Sequence, residues 1–484
     1  MYITTTIPYV NARPHLGHAL ELVQADVLAR HRRRRGEPVR FQTGTDDNSL
    51  KNVLAAEAAG VPVRELVDRN AAAFEGLRGP LALSFDSFIR TSTHPGHRDG
   101  VERIWRETAH DLYQRHYEGL YCVGCEQFYP DGPCPDGHEA PLQRVSEQNW
   151  FFRLSRYQDE LLALISSGRL RIEPAARRNE VLAFVAAGLD DISVSRSAAR
   201  ARGWGIPVPG DPAQVVYVWW DALANYITAL DGGGTRPDGG GTTLDGGDYE
   251  RWWVREPRKV HLVGKGVIRF HAVYWPAMLL SAGRPLPTAI FVHDYLTADG
   301  RKISKSSGNA ADPAALVAAY GTDAVRWWLL REVPRVGDAD FTEARLVARA
   351  DEDLANGLGN LVSRVATMVV RFLDGHVPDE GEPLARVDGA VDEALADFDF
   401  RRAALAVWTL VEEANKYVEL TRPWQQSGRE RETSLGTLVR TCRELAVQLE
   451  PFLPGAAARV AAAVGADRLT RPDPLFPRHA RPAG

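Results

Sequence analysis

Residues 2–18 read Tyr-Ile-Thr-Thr-Thr-Ile-Pro-Tyr-Val-Asn-Ala-Arg-Pro-His-Leu-Gly-His and contain the transition that decides the fold. The first six of these residues have β-strand composition, and residues 16–35 have helical periodicity. Residues 39–43 form a second β-type run, so the chain opens with a strand, a helix and a strand. The start of the helix is a suitable anion site, because free backbone N–H groups and the positive end of the helix dipole meet there.

A second set of α/β elements follows the middle of the chain. Residues 260–264 and 289–293 are apolar strands on either side of the helical segment 270–281. Two such halves, separated by a long insertion, predict a split doubly wound parallel sheet whose ligand site lies at the carboxyl ends of the strands. From about residue 349 onward the apolar spacing is helical, which predicts a separate all-helical domain.

Composition indicates a protein of two or three domains, since 484 residues are too many for one core. No run approaches the roughly 18 to 20 apolar residues of a membrane span, and the chain opens without a signal-like leader. We therefore expect a cytoplasmic protein without membrane contact. The net charge of −5 gives no global signal for nucleic acid, so any such contact must use local patches. We expect a monomer, because no association module follows the helical domain.

Lysines are scarce, and their positions are informative. Only 6 of the 58 basic residues are lysines, and two of them lie three apart in the segment Lys302-Ile-Ser-Lys305-Ser. An ammonium group and a planar guanidinium are not interchangeable on a phosphate. His15 and His18 are also three apart and share one helix face. A solvated loop and a surface pair would explain these motifs separately, but their order along the two halves of the sheet favours phosphate binding.

Three of the four cysteines are clustered with a histidine, which argues against a disulfide framework. The pattern consists of a C-x2-C pair, a third cysteine and a histidine: Cys122, Cys125, Cys134 and His138. Thiolates at this spacing fit tetrahedral Zn²⁺, and four protein ligands make the site structural. The fourth ligand stays open at this point, because His110 and His116 lie nearby.

With these motifs the chain resembles the class I aminoacyl-tRNA synthetases, and within them the methionyl branch, over essentially its whole length. Residues 15–18 look like the first signature of the family, and residues 302–306 look like its second. Further blocks carry the likeness to the methionyl branch: residues 8–11, 44–46, 204–207, 217–219, 264–265 and 271–276. The resemblance implies an α/β fold with a split Rossmann-like doubly wound parallel sheet, an inserted zinc-knuckle connective domain and an all-helical anticodon-binding domain.

The resemblance also divides the chain into five expected segments. They are residues 1–110 and 186–300 as the two halves of the catalytic domain, 111–185 as the connective insertion, 301–348 as the signature loop and stem-contact region, and 349–484 as the anticodon-binding domain. The implied chemistry has two steps. An amino acid carboxylate attacks the α-phosphate of Mg-ATP and releases pyrophosphate, and the aminoacyl group then passes to the terminal ribose of tRNA.

The functional residues are implied position by position. The catalytic residues are His15, His18, Lys302 and Lys305, and the ATP contacts add Gly17, His293 and Ser304. Asp46 matches the carboxylate that pairs with the substrate ammonium, and the remaining pocket positions are Tyr9, Trp219, Ala222, Tyr226, Val267, His271 and Trp275. Aromatic rings attract a thioether by about 0.3 to 1.5 kcal/mol per contact, so this box suits methionine. The alternative is that the aromatic residues are simply core, and we prefer that alternative for Trp220.

The helical segment carries a candidate anticodon reader. Asn356, Asn360 and Arg364 follow at i, i+4 and i+8, and Trp424 lies downstream. Amides and a guanidinium can hydrogen-bond base edges, and an indole can stack on an unstacked base. The alternative is a helix cap, a buried polar contact and a core tryptophan. The match of Asn360, Arg364 and Trp424 to family positions favours the anticodon interpretation, and therefore a tRNA partner.

Three departures from the family pattern lie near strand ends. Asp47 is followed by Asn48 and Ser49 where the family has His-Gly, Gly266 replaces an aspartate, and Asp294 replaces a glycine. Three hypotheses therefore stay open. The chain is a tRNA synthetase of the methionyl branch, including a divergent second copy, or a paralogue that activates an amino acid for a non-tRNA acceptor, or a non-catalytic tRNA-binding relative.

Overall fold

The computed structural model describes residues 1–122, 142–230, 247–298, 300 and 311–478, with the backbone alone at residues 127–129 and 301–302. Contacts within the chain divide it into two compact units. Unit 1 comprises Met1–Pro14, Pro38–Gly76 and Phe85–His293, and unit 2 comprises His15–Glu37, Leu77–Ser84 and Asp294–Gly484. The protein is α/β, with a parallel sheet and many helices.

Sixteen strands are found in the described residues. In chain order they are β1 (Tyr2–Thr5), β2 (Arg40–Thr45), β3 (Ser87–Arg90), β4 (Leu112–Cys122), β5 (Gln127–Tyr129), β6 (Gln143–Phe152), β7 (Arg171–Glu173), β8 (Ile192–Ser193), β9 (Ser195–Ser197), β10 (Pro207–Val208), β11 (Asp211–Val216), β12 (Lys259–Gly264), β13 (Ala289–His293), β14 (Leu296–Ala298), β15 (Arg301–Lys302) and β16 (Ala339–Asp340).

The main sheet of unit 1 has six parallel strands in the order β3-β2-β1-β12-β13-β7. Its central strands are buried on both faces, which is why β1 and β13 are buried along their whole length and are rich in apolar and β-branched residues. The strand order reverses between β1 and β12. A ligand crevice is expected beyond the carboxyl ends of these two strands.

The α-helices of the described residues are numbered in the same way. They are α1 (Leu16–Arg34), α2 (Leu50–Ala59), α3 (Val63–Glu75), α4 (His97–Glu107), α5 (Gln158–Ser166), α6 (Ala175–Ala186), α7 (Val218–Thr228), α8 (Gly247–Tyr249), α9 (Trp275–Ser281), α10 (Pro313–Tyr320), α11 (Thr322–Arg331), α12 (Glu343–Arg349), α13 (Asn360–Leu373), α14 (Asp388–Ala396), α15 (Phe400–Thr421), α16 (Gly428–Leu449) and α17 (Pro454–Val464). Wider π-type turns occur at Glu250–Arg255, Phe270–Tyr274 and Ala350–Gly359.

Unit 2 is predominantly helical and contains a buried ion pair. Arg326 of α11 is fully buried and lies 2.8 Å from the buried carboxylate of Asp26 on α1. Its guanidinium also donates to three backbone carbonyls, those of Leu81, Pro451 and Phe452. A buried charge is tolerated only when it is paired and hydrogen-bonded, and this one satisfies both conditions. The pair joins four segments of unit 2 that are far apart in sequence.

The predicted parallel sheet, built from two separated parts of the chain, is confirmed, with small differences at strand ends. The run 2–7 is a strand only over β1, and the run 39–43 becomes β2. The helical segment 270–281 is a π-type turn followed by α9. After residue 349 the regular elements of the described residues are helices, and they belong to unit 2 together with His15–Glu37 and Leu77–Ser84. A separate domain that begins at residue 349 stays a prediction. Among the described helices, none combines the length and apolar character that crossing a bilayer requires.

Candidate active site

The carboxyl ends of β1 and β2 bring an aromatic ring and a carboxylate together. Tyr9, downstream of β1, forms an isolated parallel bridge with Asp46, which directly follows β2. The backbone N–H of Asp46 donates to the carbonyl of Pro8 at 3.0 Å, and Asp46 is buried. The ammonium group of Lys51 lies 4.8 Å from the centre of the Tyr9 ring. Two residues 37 apart in sequence thus meet beyond the carboxyl ends of β1 and β2, and β1 also borders the switch point of the sheet.

A box of aromatic side chains continues from Tyr9. The Tyr9 ring meets Trp219 edge-on at 6.2 Å between centroids, and Trp219 stacks on Phe270 at 3.8 Å. Trp219 also lies edge-on to His271 at 6.2 Å. Such aromatic pairs contribute about 0.5 to 1.5 kcal/mol each beyond burial, so the wall is held in one arrangement. Tyr9 and Trp219 are half-buried and pack against the large core of unit 1.

Hydrogen bonds fix the deep end of the box. His271 Nδ1 lies 2.9 Å from the carbonyl of Val267, which can only accept, so Nδ1 carries the proton. His271 Nε2 is then the acceptor for the hydroxyl of Tyr226 at 2.7 Å. Tyr226 and His271 are each 1% exposed. The imidazole and the phenol therefore orient one another at the deep end of the box.

His261 supports the same wall from β12 and was not singled out by sequence reasoning. Its Nε2 accepts from Trp275 Nε1 at 3.2 Å, and its Nδ1 lies 2.5 Å from the hydroxyl of Thr4 on β1. Its ring lies 4.1 Å from that of Tyr226. Complete burial holds the pKa of His261 well below its usual range, and the nearby His271 and Lys259 act in the same direction. The imidazole is neutral, and its hydrogen bonds hold Trp275 and Thr4 in place.

Ala222 and Val267 are the two remaining positions predicted for the pocket wall. Trp220 is the neighbouring tryptophan that we expect to be part of the core. Ala222 is buried in a small cluster with Ile7 and Ile89, and Val267 is half-buried. Trp220, which follows Trp219 on α7, is 2% exposed and packs edge-on against Trp105 at 5.7 Å. The interpretation of Trp220 as core is confirmed.

In unit 2, His15 and His18 lie at the start of α1, and each accepts a hydrogen bond from a backbone N–H through its Nδ1 atom. His15 is the N-cap, and its Nδ1 accepts from the backbone N–H of Gly17 at 3.1 Å. His18 Nδ1 accepts from the backbone N–H of His15, also at 3.1 Å, and the two rings stack at 3.8 Å. Because both Nδ1 atoms accept, each neutral ring carries its proton on Nε2. A Cβ at Gly17 would lie 2.9 Å from the His15 ring, which explains the glycine.

The other predicted nucleotide contacts are only partly described. His293 ends β13 in unit 1 and is paired in register with Gly264, the last residue of β12. A Cβ at Gly264 would lie 3.4 Å from the His293 ring, so the two strand ends approach closely. In unit 2, β15 carries the backbone of Lys302 and pairs with β14. Ser304 and Lys305 lie outside the described residues.

Comparison with known proteins agrees with this geometry. The family model described as "tRNA synthetases class I (M)" matches residues 1–146 and 139–366. The chain is 41% identical to a methionine–tRNA ligase of Mycobacterium tuberculosis (strain CDC 1551 / Oshkosh), over 95% of this chain and 91% of that one. The chain belongs to the class I methionyl-tRNA synthetase family.

Further members of the methionyl-tRNA synthetase family match over almost their whole length. A methionine–tRNA ligase of Mesorhizobium japonicum is 39% identical, over 100% of this chain and 98% of the relative. Among solved structures, Mycobacterium tuberculosis methionyl-tRNA synthetase in complex with methionyl-adenylate superposes with a TM-score of 0.87 at 39% identity, covering 99% of each chain. The similarity therefore extends across both units.

The structure gives a local role to two of the three departures from the family pattern. Ser49 is the N-cap of α2, and its hydroxyl accepts from the backbone N–H of Lys51 at 3.1 Å. The buried carboxylate of Asp294 accepts from the backbone N–H of Gly337 at 2.6 Å in unit 2, at the base of β14. Both side chains therefore satisfy backbone donors. Gly266 is exposed, and nothing in the structure explains it.

Of the four predicted zinc ligands, only Cys122 lies among the residues that the structure describes. Cys122 ends β4, is buried, and pairs with Gln127 at the start of β5. Only four residues of sequence, 123–126, connect these antiparallel partners. Among the described residues, no group of three or more His, Cys, Asp or Glu side chains is placed to hold a metal ion, so the zinc knuckle stays a prediction. Cys125, Cys134 and His138 lie outside the described residues.

The candidate anticodon residues belong to helices of unit 2. Asn356 lies in the π-type stretch before α13, whereas Asn360 and Arg364 lie on α13 itself. The spacing between the two asparagines is therefore not that of a regular α-helix, because a π turn is wider. Trp424 is 40% exposed, which excludes the alternative of a core tryptophan.

Neighbouring charges hold two of these side chains. Arg364 Nη2 donates to Glu419 Oε1 on α15 at 2.7 Å. Asn356 Oδ1 accepts from Arg478 Nη2 at 3.0 Å. Exposed contacts of this kind contribute at most about 1 kcal/mol, so they orient the two side chains only weakly.

Proposed function

We propose that this chain is a methionine–tRNA ligase that activates methionine with ATP and transfers it to methionine tRNA. The single observation that carries the proposal is the Tyr9–Asp46 bridge beside an aromatic box whose deep end is fixed by the hydrogen bonds of His271. A carboxylate bridged to Tyr9 and a polarisable aromatic box beside it match an amino acid with an ammonium at one end and a thioether at the other.

Within this proposal, Asp46 pairs with the substrate ammonium and the box encloses the side chain. The wall consists of Tyr9, Trp219, Ala222, Tyr226, Val267, His271 and Trp275. Sulfur contacts with ring edges contribute about 0.3 to 1.5 kcal/mol each, and a charged side chain would lose its hydration without gaining a partner. The box thus selects against acidic and basic amino acids.

The reaction joins the methionine carboxylate to the α-phosphate of ATP. A carboxylate oxygen forms a bond to the α-phosphorus, the bond to the bridging oxygen breaks, and pyrophosphate leaves with the electron pair. The protein contributes alignment and stabilisation of charge on the phosphate oxygens. The terminal ribose hydroxyl of tRNA then displaces AMP from the adenylate.

The proposed phosphate ligands follow from protonation and charge. His15 and His18 each carry a proton on Nε2, and a phosphate oxygen is a natural acceptor for such a donor at a helix N-terminus. Gly17 permits this arrangement, and Lys302 and Lys305 add compact positive charge. The other proposed ATP contacts are His293 and Ser304, and Mg²⁺ accompanies ATP as part of the substrate.

The remaining assignments complete the proposal. Cys122, Cys125, Cys134 and His138 hold a structural Zn²⁺ that stabilises the connective insertion, and Asn356, Asn360, Arg364 and Trp424 read the anticodon. We retain the five segments 1–110, 111–185, 186–300, 301–348 and 349–484 as the division of these roles. We further propose a cytoplasmic monomer, since tRNA charging serves the ribosomes of the cytoplasm.

The test is ATP–pyrophosphate exchange measured separately with each of the twenty standard amino acids. The proposal expects exchange with methionine, and none with the acidic and basic amino acids. Exchange driven by a different amino acid, with none from methionine, would contradict it and favour the paralogue that serves a non-tRNA acceptor. The intact pattern of His15, His18, Lys302 and Lys305 makes the absence of all exchange the least expected result.

A further inference from the structure

Asn48 occupies a position where the chain departs from its family, and it contacts two carboxylates. Its backbone N–H donates to Asp46 Oδ1 at 3.1 Å, and its side-chain amide donates to Asp221 Oδ2 at 2.7 Å. Asp46 belongs to the loop after β2, whereas Asp221 belongs to α7 and lies 173 residues after Asn48 in sequence. One residue thus joins the proposed ammonium ligand to the helix that carries the box.

Asp221 is a buried carboxylate that needs donors. It is 1% exposed, and its other oxygen, Oδ1, lies 2.6 Å from His97 Nε2. His97 is itself fully buried, and its Nδ1 lies 2.6 Å from the hydroxyl of Thr228 at the end of α7. A buried carboxylate that loses a donor retains the cost of its desolvation, so both contacts matter.

The helix that carries Asp221 also carries much of the pocket wall. Trp219, Ala222 and Tyr226 all lie on α7, within five residues of Asp221. The Asn48 amide therefore spans the gap between the element that supplies the ammonium ligand and the element that supplies the side-chain box. Displacing α7 from the loop by even a fraction of an ångström would change the distance over which an amino acid is held at both ends.

We propose that Asn48 is a positioning residue for the amino acid, acting through Asp221 and His97 to set the spacing between Asp46 and the aromatic box. This inference rests on the proposed function, because it takes Asp46 as the ammonium ligand. An asparagine suits the place because its short, uncharged amide supplies the donor that Asp221 needs.

The test compares three variants in methionine-dependent ATP–pyrophosphate exchange. Asn48→Ala removes the amide and is expected to raise the KM for methionine at least tenfold, while the KM for ATP changes less than twofold. Asn48→His restores an N–H donor and is expected to keep the methionine KM within about threefold of the unsubstituted protein. Ser49→Ala, the matched control, removes the cap of α2 but leaves the Asn48–Asp221 bond, and it is expected to lower Tm without changing either KM.

The outcomes separate this inference from the proposed function. Methionine-dependent exchange with an unchanged methionine KM in Asn48→Ala overturns the positioning role and leaves the proposed function standing. Equal increases in the KM for methionine and for ATP also overturn it, because the Asn48–Asp221 bond would then stabilise the whole active site and not specifically the position of methionine. If Asn48→Ala does not fold, Asn48→Ser, whose hydroxyl is too short to reach Asp221, is expected to show the same selective rise. The absence of methionine-dependent exchange in the unsubstituted protein defeats the proposed function itself.

Discussion

The amino acid box of unit 1 and the proposed anticodon face of unit 2 hold their polar side chains in opposite ways. In the box, Tyr226 and His271 are almost completely buried and hydrogen-bond each other, and His261 supports Trp275 from behind. On the helical face, Trp424 is 40% exposed. Under the proposed function this difference follows ligand size, since a small amino acid is enclosed by a preformed box, whereas an RNA loop requires side chains that stay accessible.

The largest expected effect is the loss of the buried carboxylate. Asp46→Asn removes the charge that pairs with the substrate ammonium, and we expect methionine-dependent exchange to fall on the order of a hundredfold, about 3 kcal/mol. Asp86→Asn is the matched control, because Asp86 is exposed and accepts from a backbone N–H in the same unit. Loss of exchange in both variants would show a folding defect, and loss in neither would remove Asp46 from the pocket.

The proposed anticodon face is tested by a variant at Trp424 that separates methionine activation from transfer to tRNA. Trp424→Ala removes a stacking surface worth about 1 to 3 kcal/mol per base, so we expect kcat/KM for tRNA charging to fall roughly tenfold or more. Methionine-dependent exchange is expected to be unchanged. Val447→Ala, an exposed apolar side chain on α16, is the control for general surface effects. Equal losses in exchange and charging would assign Trp424 to stability.

The second signature is tested by a substitution that keeps the positive charge. Lys305→Arg replaces a compact ammonium with a planar guanidinium, and we expect exchange to fall about tenfold, or about 1.4 kcal/mol of transition-state stabilisation. Lys416→Arg on α15 provides the matched control. Unchanged exchange in Lys305→Arg would contradict the argument that this position requires a point charge.

The smallest effect concerns the pH dependence of stability. His261 is buried and its pKa is depressed, so below about pH 6.5 the unfolded chain binds a proton that the folded chain does not. The free energy of unfolding should therefore fall as pH drops from 7 to 5, by up to about 1.4 kcal/mol per pH unit for this residue. Burial lowers the pKa of His31 and His94 as well, which adds to the slope.

Urea unfolding at several pH values measures this contribution. His261→Gln is expected to reduce the slope of stability with pH, whatever it does to stability at pH 7. His116→Gln is the control, because the side chain of His116 is 63% exposed. An identical slope in His261→Gln and the unsubstituted protein would mean that His261 is protonated in the folded state.

Sequence reasoning recovered what depends on local pattern and on recognisable motifs. The apolar runs predict the buried strands β12 and β13, and the family resemblance implies that Tyr9 and Asp46 belong to one pocket. The structure pairs these two residues in a β-bridge, while their role in a pocket stays a prediction. The edge strand β7 was missed, because three residues give too short a pattern to recognise. The π-type turn before α13 was missed for a similar reason, since helical periodicity does not distinguish it from an α-helix.

Contacts between distant segments were beyond the reach of sequence patterns. His261 looks like an ordinary strand residue, and its role appears only when β1 and α9 supply Thr4 and Trp275 as partners. The bond between Asn48 and Asp221 joins positions 173 residues apart. Neither the contacts of His261 nor the bond between Asn48 and Asp221 can be predicted from neighbouring residues, because a hydrogen bond between distant segments leaves no periodicity in the chain.

The most direct test of the central claim is charging of methionine tRNA. Purified protein is incubated with labelled methionine, ATP and transcripts of initiator and elongator methionine tRNA, each with its natural anticodon or with a substituted one. We predict charging of both natural transcripts and a loss of at least tenfold in kcat/KM when the anticodon is substituted. Methionine-dependent exchange without charging of either natural transcript would contradict the account.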